Sequence, residues 1–397
     1  MDYAYSEVIT MAIQPFRGAS TAQFYVPEVV QGVTPASPSW RPLRSTSGVP
    51  SVTRDALVSA ELDGGREVSS IRTGNQQVTG EYAIELSQQS QDDLLACAMT
   101  SDWVSGVTQS GVSVTVNPVA KTFTRAAGDF TTACAVGDLV YFKDLTGDNA
   151  KPFIVTAVTA LVVTGAGIQH TLTTQTATTA FKSADSLETG NLCKSVSILT
   201  WFKGKCGNPD AFVITRGVEF TGFTIEQAVN AMITGSLPFI GLSQEILSGL
   251  PSGSTFTVDF NAEPFSAVDV AVFDGTTPLQ LIDSLTITND NEASAQFALG
   301  SNSVAFVERG RANNTFSMSG KLYDMSMVQK FLNETDIDLT SILSGVNGAM
   351  SFTLRNAKFT AATPEIGGAE SVTLSLEGQA QGSSELSSIT IQRLVYP

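Results

Sequence analysis

The chain has 397 residues, of which 42% are hydrophobic and 15% are charged, and its formal net charge is −16. This length predicts two or three domains with a sizeable core, and the hydrophobic content excludes a disordered chain. Tight binding to nucleic-acid phosphates needs clustered Lys and Arg, so the negative charge disfavours a nucleic-acid-binding protein. Abundant Ser, Thr, Val and Gly without long Glu/Lys/Leu stretches favour a mainly β fold.

Residues 1–39 are poorly patterned, and their prolines predict an extended N-terminal arm laid on a neighbouring subunit. The first residues lack the basic and apolar regions of a signal peptide. The sequence contains no run of about 18 apolar residues, so no transmembrane helix is expected. We therefore expect assembly in a cytoplasm, with no membrane partner. The cysteines show no CxxC spacing and are expected to be reduced, buried thiols; they are Cys97, Cys134, Cys193 and Cys206.

The most clearly patterned stretch is residues 40–99. Apolar and polar side chains alternate over residues 78–86, which predicts a half-buried strand with Gly80 as a bulge or a close approach. Its inward side chains are Val78, Tyr82, Ile84 and Leu86. Ser90 and Asp93 then resemble a capping box, which predicts a short helix with Leu94-Leu95 on its buried face.

The same order of features recurs roughly 240 residues downstream. Residues 316–322 alternate again, Ser326 is predicted to cap a second helix, and Phe331-Leu332 take the places of Leu94-Leu95. Two matches in the same order indicate an internal duplication of a β-rich unit with a short flanking helix.

Residues 106–185 differ in sequence pattern from both copies, because five or six predicted short strands follow each other at close spacing. This pattern predicts a small inserted β domain, a barrel or a sandwich. The predicted division is an arm at 1–39, copy A at 40–105 and 186–250, the insert at 106–185, and copy B at 251–397.

Charge is spread unevenly over these parts. Copy B has 16 acidic and 7 basic residues, the insert has 5 and 5, and the remainder has 17 and 10. The net charges are therefore −9, 0 and −7, so the duplicated body holds all of the net negative charge. If the acids served only solubility, the insert would share them.

Catalytic and metal-binding patterns are weak. The single histidine, His170, is expected to be structural, and a Ser-His-Asp or Cys-His pair would have to use it. Gly165-Ala-Gly167 lacks the third glycine of a dinucleotide fingerprint and is interpreted as a turn. Asp144, Asp148 and Asn149 could form only a weak Ca²⁺ site without a closing bidentate Glu. We expect no enzyme, no cofactor and no metal.

The chain resembles the tail tube (major tail) proteins of long, non-contractile-tailed bacteriophages. The resemblance lies in the order of segments across most of residues 40–390. These segments are Leu43-Arg44, Ser59 to Arg66, Arg72-Thr-Gly74, Val78-Thr-Gly80, Glu85-Leu86, Asp93-Leu-Leu95, the insert from Phe123 to Val163, and Gly217 to Leu237.

The resemblance implies tail-tube-type β-sandwich units whose subunits join edge strands into a ring. Rings stack into a tube, together with the tape-measure, terminator and distal tail proteins, and double-stranded DNA passes through the lumen without specific binding. With two units per chain, three chains would give a pseudo-sixfold ring, and a six-chain ring is the alternative. The insert would face outward and be dispensable for tube closure. Another phage structural protein (decoration or baseplate hub) or a bacterial surface β-sandwich protein stays open.

The resemblance also suggests candidate site residues. The Ser45–Asn75 region, which is long and rich in Ser, Gly and Arg, is expected to be an inter-ring or inter-subunit loop. Its candidate contact residues are Arg54, Arg66 and Arg72. Acids on polar strand faces are expected to line a lumen that repels phosphate. The candidates are Glu81, Glu85, Glu219, Glu226, Glu370 and Glu377.

Overall fold

The computed structural model describes residues 15–61, 66–166, 171–205, 208–257, 262–346, 348–368, 370–383 and 386–396. Strands dominate these residues, and the two α-helices are α1 (Asp92–Ala98) and α2 (Ser326–Leu332). The prediction of a mainly β fold is confirmed, with two sandwich units, a flanking helix on each, and a small inserted β domain.

One eight-stranded antiparallel sheet, here called the joint sheet, runs through both copies. Its strands in spatial order are β3 (Ser51–Val58), β4 (Ile71–Glu85), β15 (Thr234–Gly241), β14 (Gly222–Ala228), β20 (Ile282–Asp290), β23 (Asn313–Lys321), β26 (Thr373–Ala380) and the C-terminal part of β25 (Gly348–Glu365). The first four strands come from copy A and the last four from copy B. The two copies meet at β14 and β20, paired from Gly222↔Asp290 to Ala228↔Ser284.

Each copy covers its half of the joint sheet with an outer sheet. In copy A the strands are β2 (Ser39–Pro42), β1 (Thr21–Pro27), β12 (Val196–Phe202), the start of β13 (Ala211–Phe220) and β16 (Ser243–Leu247). In copy B they are β18 (Val270–Asp274), β24 (Ile337–Ser344), the start of β25, β27 (Ile389–Val395) and β11 (Asp185–Glu188). The short strands are β17 (Thr255–Phe256), β19 (Thr277–Pro278), β21 (Ser294–Phe297) and β22 (Val304–Glu308).

The strand order repeats between the copies. β13 and β25 each leave an outer sheet and enter the joint sheet, and each bends at a residue with positive φ. These residues are Gly217 (φ 62°) and Asn356 (φ 48°), and both follow an arginine. Glycine and asparagine tolerate this left-handed backbone best. The bend therefore supplies a reference point for aligning the copies.

The predicted strand around Gly80 is present within β4. Val78, Tyr82, Ile84 and Leu86 are almost fully buried. A Cβ at Gly80 would lie 2.6 Å from the ring of Phe239 on β15, so the glycine permits a close approach of the two strands.

The predicted helix caps, Ser90 and Ser326, are each wrong by one residue. The N-cap positions are Gln91 and Met325, neither side chain makes a capping hydrogen bond, and Ser326 is the first residue of α2. The hydroxyl of Ser326 donates instead to Asp324, which lies outside the helix. Because both helices have seven residues, Ser326 is the counterpart of Asp92, and Leu94-Leu95 correspond to Val328-Gln329 rather than to Phe331-Leu332.

The insert is a closed six-stranded barrel with a core rich in phenylalanine, in which Phe123 stacks on Phe142 and Phe153. Its strands are β5 (Thr108–Asn117), β6 (Thr122–Arg125), β7 (Leu139–Phe142), β8 (Phe153–Val158), β9 (Val162–Ala166) and β10 (Gln175–Ser183). Gly165 belongs to β9, so the predicted turn at this glycine is wrong, and Gly167 lies outside the described residues.

The barrel packs on the outer sheet of copy B. Leu139 and Ile154 of the barrel join Phe273, Ile342 and Leu394 in one buried apolar cluster. The Leu139 N–H donates to Gln392 Oε1 at 2.7 Å. The barrel therefore lies on the far side of copy B from the joint sheet.

Two predicted segments differ from the structure. Residues 21–27, assigned to an arm, form β1, which is paired along its length with β12. The predicted loop at 45–75 contains β3, paired with β4 in a hairpin. Backbone hydrogen bonds hold this ladder, and they form in spite of a composition rich in Ser, Gly and Arg. Residues 1–14 and 62–65 lie outside the described residues.

Candidate functional site: the polar face and open edges of the joint sheet

The joint sheet has one apolar and one polar face, because successive side chains of a strand alternate in direction. On the polar face the cross-strand partners form a row perpendicular to the strands. The row runs Glu85, Thr234, Glu226, Thr286, Ser317, Glu377 and Ala361. Glu81 lies on the same face, four residues before Glu85 on β4. Four of the six predicted acids therefore share one continuous surface that spans both copies.

Short polar side chains fill most of the remaining polar face. They include Thr79, Thr224, Ser236, Ser284, Thr288, Thr315, Ser319, Ser375 and Gln379. Hydroxyls pair across strands, as between Ser284 and Ser319 at 2.8 Å. The face also carries Asp290 and Glu365, together with Lys321 and Lys358. Lys321 pairs with Asp283 and Lys358 with Asp336, so the six carboxylates leave this surface acidic.

The other two predicted acids lie elsewhere. Glu219 is buried on β13, and Arg309 Nη2 lies 2.6 Å from its Oε2. Burial raises the pKa of Glu219, and the charge of Arg309 opposes that shift. The sequence did not reveal this pairing, because Arg309 lies 90 residues further along the chain. Glu370 is exposed between β25 and β26, outside the sheet. The expectation that these two acids belong to the polar face is wrong.

The three predicted contact arginines are exposed on the β3–β4 hairpin. Arg54 lies on β3, and its Nη2 donates to Gln76 Oε1 at 3.0 Å. Arg72 lies on β4, and Arg66 lies in the connection between the strands. Exposed apolar side chains accompany them, among them Leu57, Val58 and Ile71. An exposed hairpin with mixed basic and apolar side chains is typical of a contact surface.

The two ends of the joint sheet are open strand edges within the described residues. β3 is paired in the sheet only with β4, and the C-terminal part of β25 only with β26. An open edge presents unpaired backbone donors and acceptors to another chain. Both copies therefore contribute one edge to a possible assembly.

Where the structure describes them, the predicted chemistry-bearing side chains do not converge on a reactive site. His170 and Cys206 lie outside the described residues; Cys97 and Cys134 are buried, whereas Cys193 is exposed, contrary to the prediction. Asp144 and Asp148 each accept a backbone N–H of the barrel, from Ala180 and Thr171. Among the described residues no group of three or more His, Cys, Asp or Glu could hold a metal ion. Neither described helix is long and apolar enough to cross a membrane.

Sequence reasoning missed the exposed apolar side chains around α2 and on β16, which include Met325, Leu332 and Ile246. Single apolar residues in short polar stretches carry no clear signal. Only the alignment of the two copies shows that their counterparts are buried.

A β-sandwich pair with a shared sheet, a polar face and two open edges defines a structural protein suited to assembly. The family described as phage tail tube protein matches residues 18–380, so the chain belongs to this family. It is thus a structural protein of a phage tail, a component of the virion that assembles with other tail proteins.

A search of curated proteins found no match. Among solved structures, the chain is similar to a chain of the anti-feeding prophage (AFP) baseplate determined by cryo-EM with sixfold symmetrisation. The two share 14% identity, the match covers 32% of this chain and 91% of that chain, and the TM-score is 0.23.

Proposed function

We propose that this protein is the subunit of a phage tail tube, in which copies join through the edges of the joint sheet into rings. Rings stack into a tube with the polar face toward the lumen, and double-stranded DNA passes along it without specific binding. The observation that carries the proposal is the joint sheet itself. Within one chain this sheet already continues from one sandwich unit to the next. Repeating the same junction between chains would close the sheet into a ring.

The junction inside the chain supplies the geometry of the junction between chains. Within the chain, β14 ends the copy A half of the sheet and pairs with β20, which begins the copy B half. The counterparts of these strands are the end of β25 and the segment that runs from Ser47, which bridges to Ala83, into the start of β3; both are open edges of the sheet. Pairing β25 of one chain with β3 of the next removes both edges from solvent, as in closed barrels.

Three chains per ring follow from two units per chain if the ring holds six sandwich units. The joint sheet supports this count, because each chain supplies two successive sandwiches to one wall. On the outer side, the barrel packs on copy B opposite the joint sheet. The insert therefore projects from the outside of the tube, away from the DNA.

A pair of cysteines tests the proposed junction. Glu226 lies opposite Thr286 within the chain. The registers of the two halves make Thr363 the counterpart of Glu226 and Ser47 the counterpart of Thr286. Ser47 forms a bridge with Ala83, just as Thr286 pairs with Ser317, and Ser317 is the counterpart of Ala83. We expect Ser47→Cys with Thr363→Cys to give disulfide-linked oligomers under oxidising conditions, with a limit at the trimer.

The matched controls are the two single variants, which should give at most dimers through chance contact. Gel electrophoresis without reductant, combined with mass photometry, reads out the result. A double variant that assembles into tubes but stays uncrosslinked would contradict this pairing of edges. Crosslinked species that extend evenly to six chains would contradict the trimer.

We also propose that the β3–β4 hairpin contacts the adjacent ring, where Arg54, Arg66 and Arg72 meet acidic side chains. The counterpart of the outer end of this hairpin in copy B is β21–β22, which connects β20 to β23 and exposes Phe306. Both copies would then offer one hairpin to the next ring, as pseudo-sixfold stacking requires.

Charge reversal of the hairpin tests this contact. We expect Arg66→Glu with Arg72→Glu to leave the thermal unfolding of the subunit nearly unchanged, because exposed charges contribute little to stability. Tube length in negative-stain images should fall sharply, whereas single rings persist. Arg125→Glu, on the barrel, is a control with one reversed charge. Tubes of normal length in the double variant would show that the hairpin is free in solvent.

A further inference from the structure

The two helices differ in their surroundings although they occupy equivalent places. In α1, all residues except Asp93 are buried, whereas no residue of α2 is buried. The largest differences in exposure involve apolar side chains of copy B. Met325 is 61% exposed, whereas its counterpart Gln91 is 1% exposed. Leu332 is 67% exposed, whereas its counterpart Ala98 is fully buried. Copy B therefore exposes apolar side chains at positions that copy A covers.

Copy B provides much of the cover on α1. Arg393 of β27 forms an ion pair with Asp92 at the start of α1, and its guanidinium lies over the ring of Trp103. Gln88, just before α1, donates to the backbone oxygen of Leu394 on the same strand. At the other end, Asn291 Nδ2 donates to the backbone oxygen of Ala98 at 2.7 Å. The end of β27 is thus a docking place for the α1 region of the preceding copy.

The counterpart of β27 in copy A is β16. Aligning Gly217 with Asn356 and following the strand pairings makes Ile246 the counterpart of Ile391, since Ile246 pairs with Val213 as Ile391 pairs with Phe352. Ile391 is fully buried, whereas Ile246 is 78% exposed. Ser248, the residue that follows the end of β16, is by the same alignment the counterpart of Arg393. The docking place on copy A is therefore open in the single chain.

We propose that α2 of one chain docks on the end of β16 in the next chain, as α1 docks on β27 within a chain. The occupant is a second copy of this protein. The donor surface, the α2 patch, consists of Tyr323, Met325 and Leu332, and the acceptor surface, the β16 patch, consists of Ile246, Ser248 and Leu250. All are exposed in the single chain. Two apolar patches that occupy complementary positions of one repeat are covered together by one contact.

This contact rests on the proposed ring but is distinct from its edge pairing. It joins the chains on the sandwich side, while β25 and β3 join them in the joint sheet. Copy order explains why both contacts arise at the same boundary: copy B of one chain precedes copy A of the next, as copy A precedes copy B within the chain. The groove beside the β16 patch, about 610 Å³ and lined by Val33, Ile246, Leu247 and Pro251, gives room for Met325.

A charge pair tests the contact, because Ser326 and Ser248 stand where Asp92 and Arg393 form their ion pair. Both serines are exposed. We compare Ser326→Asp with Ser248→Arg, an attractive pair, against Ser326→Asp with Ser248→Asp, a repulsive one. The two double variants share the same change in α2, where an acid at the first helical position is favoured by the helix dipole. Ser248→Asp alone is the matched control for the added negative charge.

Light scattering and negative-stain images give the critical concentration for ring formation. We expect the attractive variant to assemble at or below the wild-type concentration and the repulsive one to need at least about tenfold more protein, with the gap closing at high salt. The single variant should assemble close to wild type. Equal assembly of both double variants overturns this contact while leaving the ring intact. A wild-type protein that forms no rings overturns the proposed function and, with it, this contact.

Discussion

Replacement of Glu81, Glu226 and Glu377 by lysine is expected to slow DNA ejection strongly in phage that carry the variant, by about tenfold or more at low salt. These acids lie exposed on the polar face of the joint sheet, two of them in one cross-strand row. Three reversals remove three of the six carboxylates from the face and add three lysines to it, which cancels its net negative charge. Lysines that neutralise phosphates hold DNA by releasing counterions, so transit should recover as salt is raised.

The matched control places the same charge change elsewhere. Glu263, Glu334 and Glu370 are exposed and lie outside the joint sheet, so their replacement by lysine should leave ejection unchanged. Both triple variants must form tubes of normal length before ejection is compared. Equal ejection times for the two variants, measured by single-particle fluorescence of released DNA, would contradict a lumen lined by the polar face.

Replacement of residues 108–184 by a short Gly/Ser linker is expected to lower the free energy of unfolding of the remaining body by about 2–5 kcal/mol. The barrel covers Phe273, Ile342 and Leu394 on the outer sheet of copy B, and excision exposes them. Ring closure should survive, because neither open edge of the joint sheet belongs to the insert. The prediction that the insert is dispensable thus becomes a prediction of closure at reduced stability.

A second deletion variant separates the two effects. Ile342→Thr and Leu394→Thr in the deletion background make the newly exposed surface more polar and should reduce aggregation. Urea unfolding followed by tryptophan fluorescence measures stability, and negative-stain images report tubes. A soluble, folded deletion variant that never polymerises would show that the insert takes part in closure.

The sequence predicted the elements whose pattern is local. The alternation through Tyr82 and Ile84, the close approach at Gly80, and the duplication itself follow from periodicity within short windows. The four acids of the polar face were found because exposed strand residues alternate with buried ones. The inserted β domain was predicted, as a barrel or a sandwich, because short strands at close spacing have few other arrangements.

The sequence left out what depends on contacts between distant segments. Glu219 is buried and forms an ion pair with Arg309 of copy B, and no local pattern around Glu219 indicates that partner. The continuity of the joint sheet rests on the pairing of β14 with β20, which backbone groups form regardless of side-chain type. The part of the β3–β4 hairpin that lies within residues 45–75 was mistaken for a loop for the same reason. The contrast between α1 and α2 also depends on packing between copies, which the sequence of either helix alone does not show.

A cryo-EM reconstruction of the tube assembled from purified protein tests the central claim most directly. We expect rings of three chains in which β25 of each chain pairs with the edge at the start of β3 of the next, the polar face lines the lumen, and the barrels project outward. A ring of six identical chains, or a map in which Glu81, Glu226 and Glu377 face away from the lumen, would contradict it.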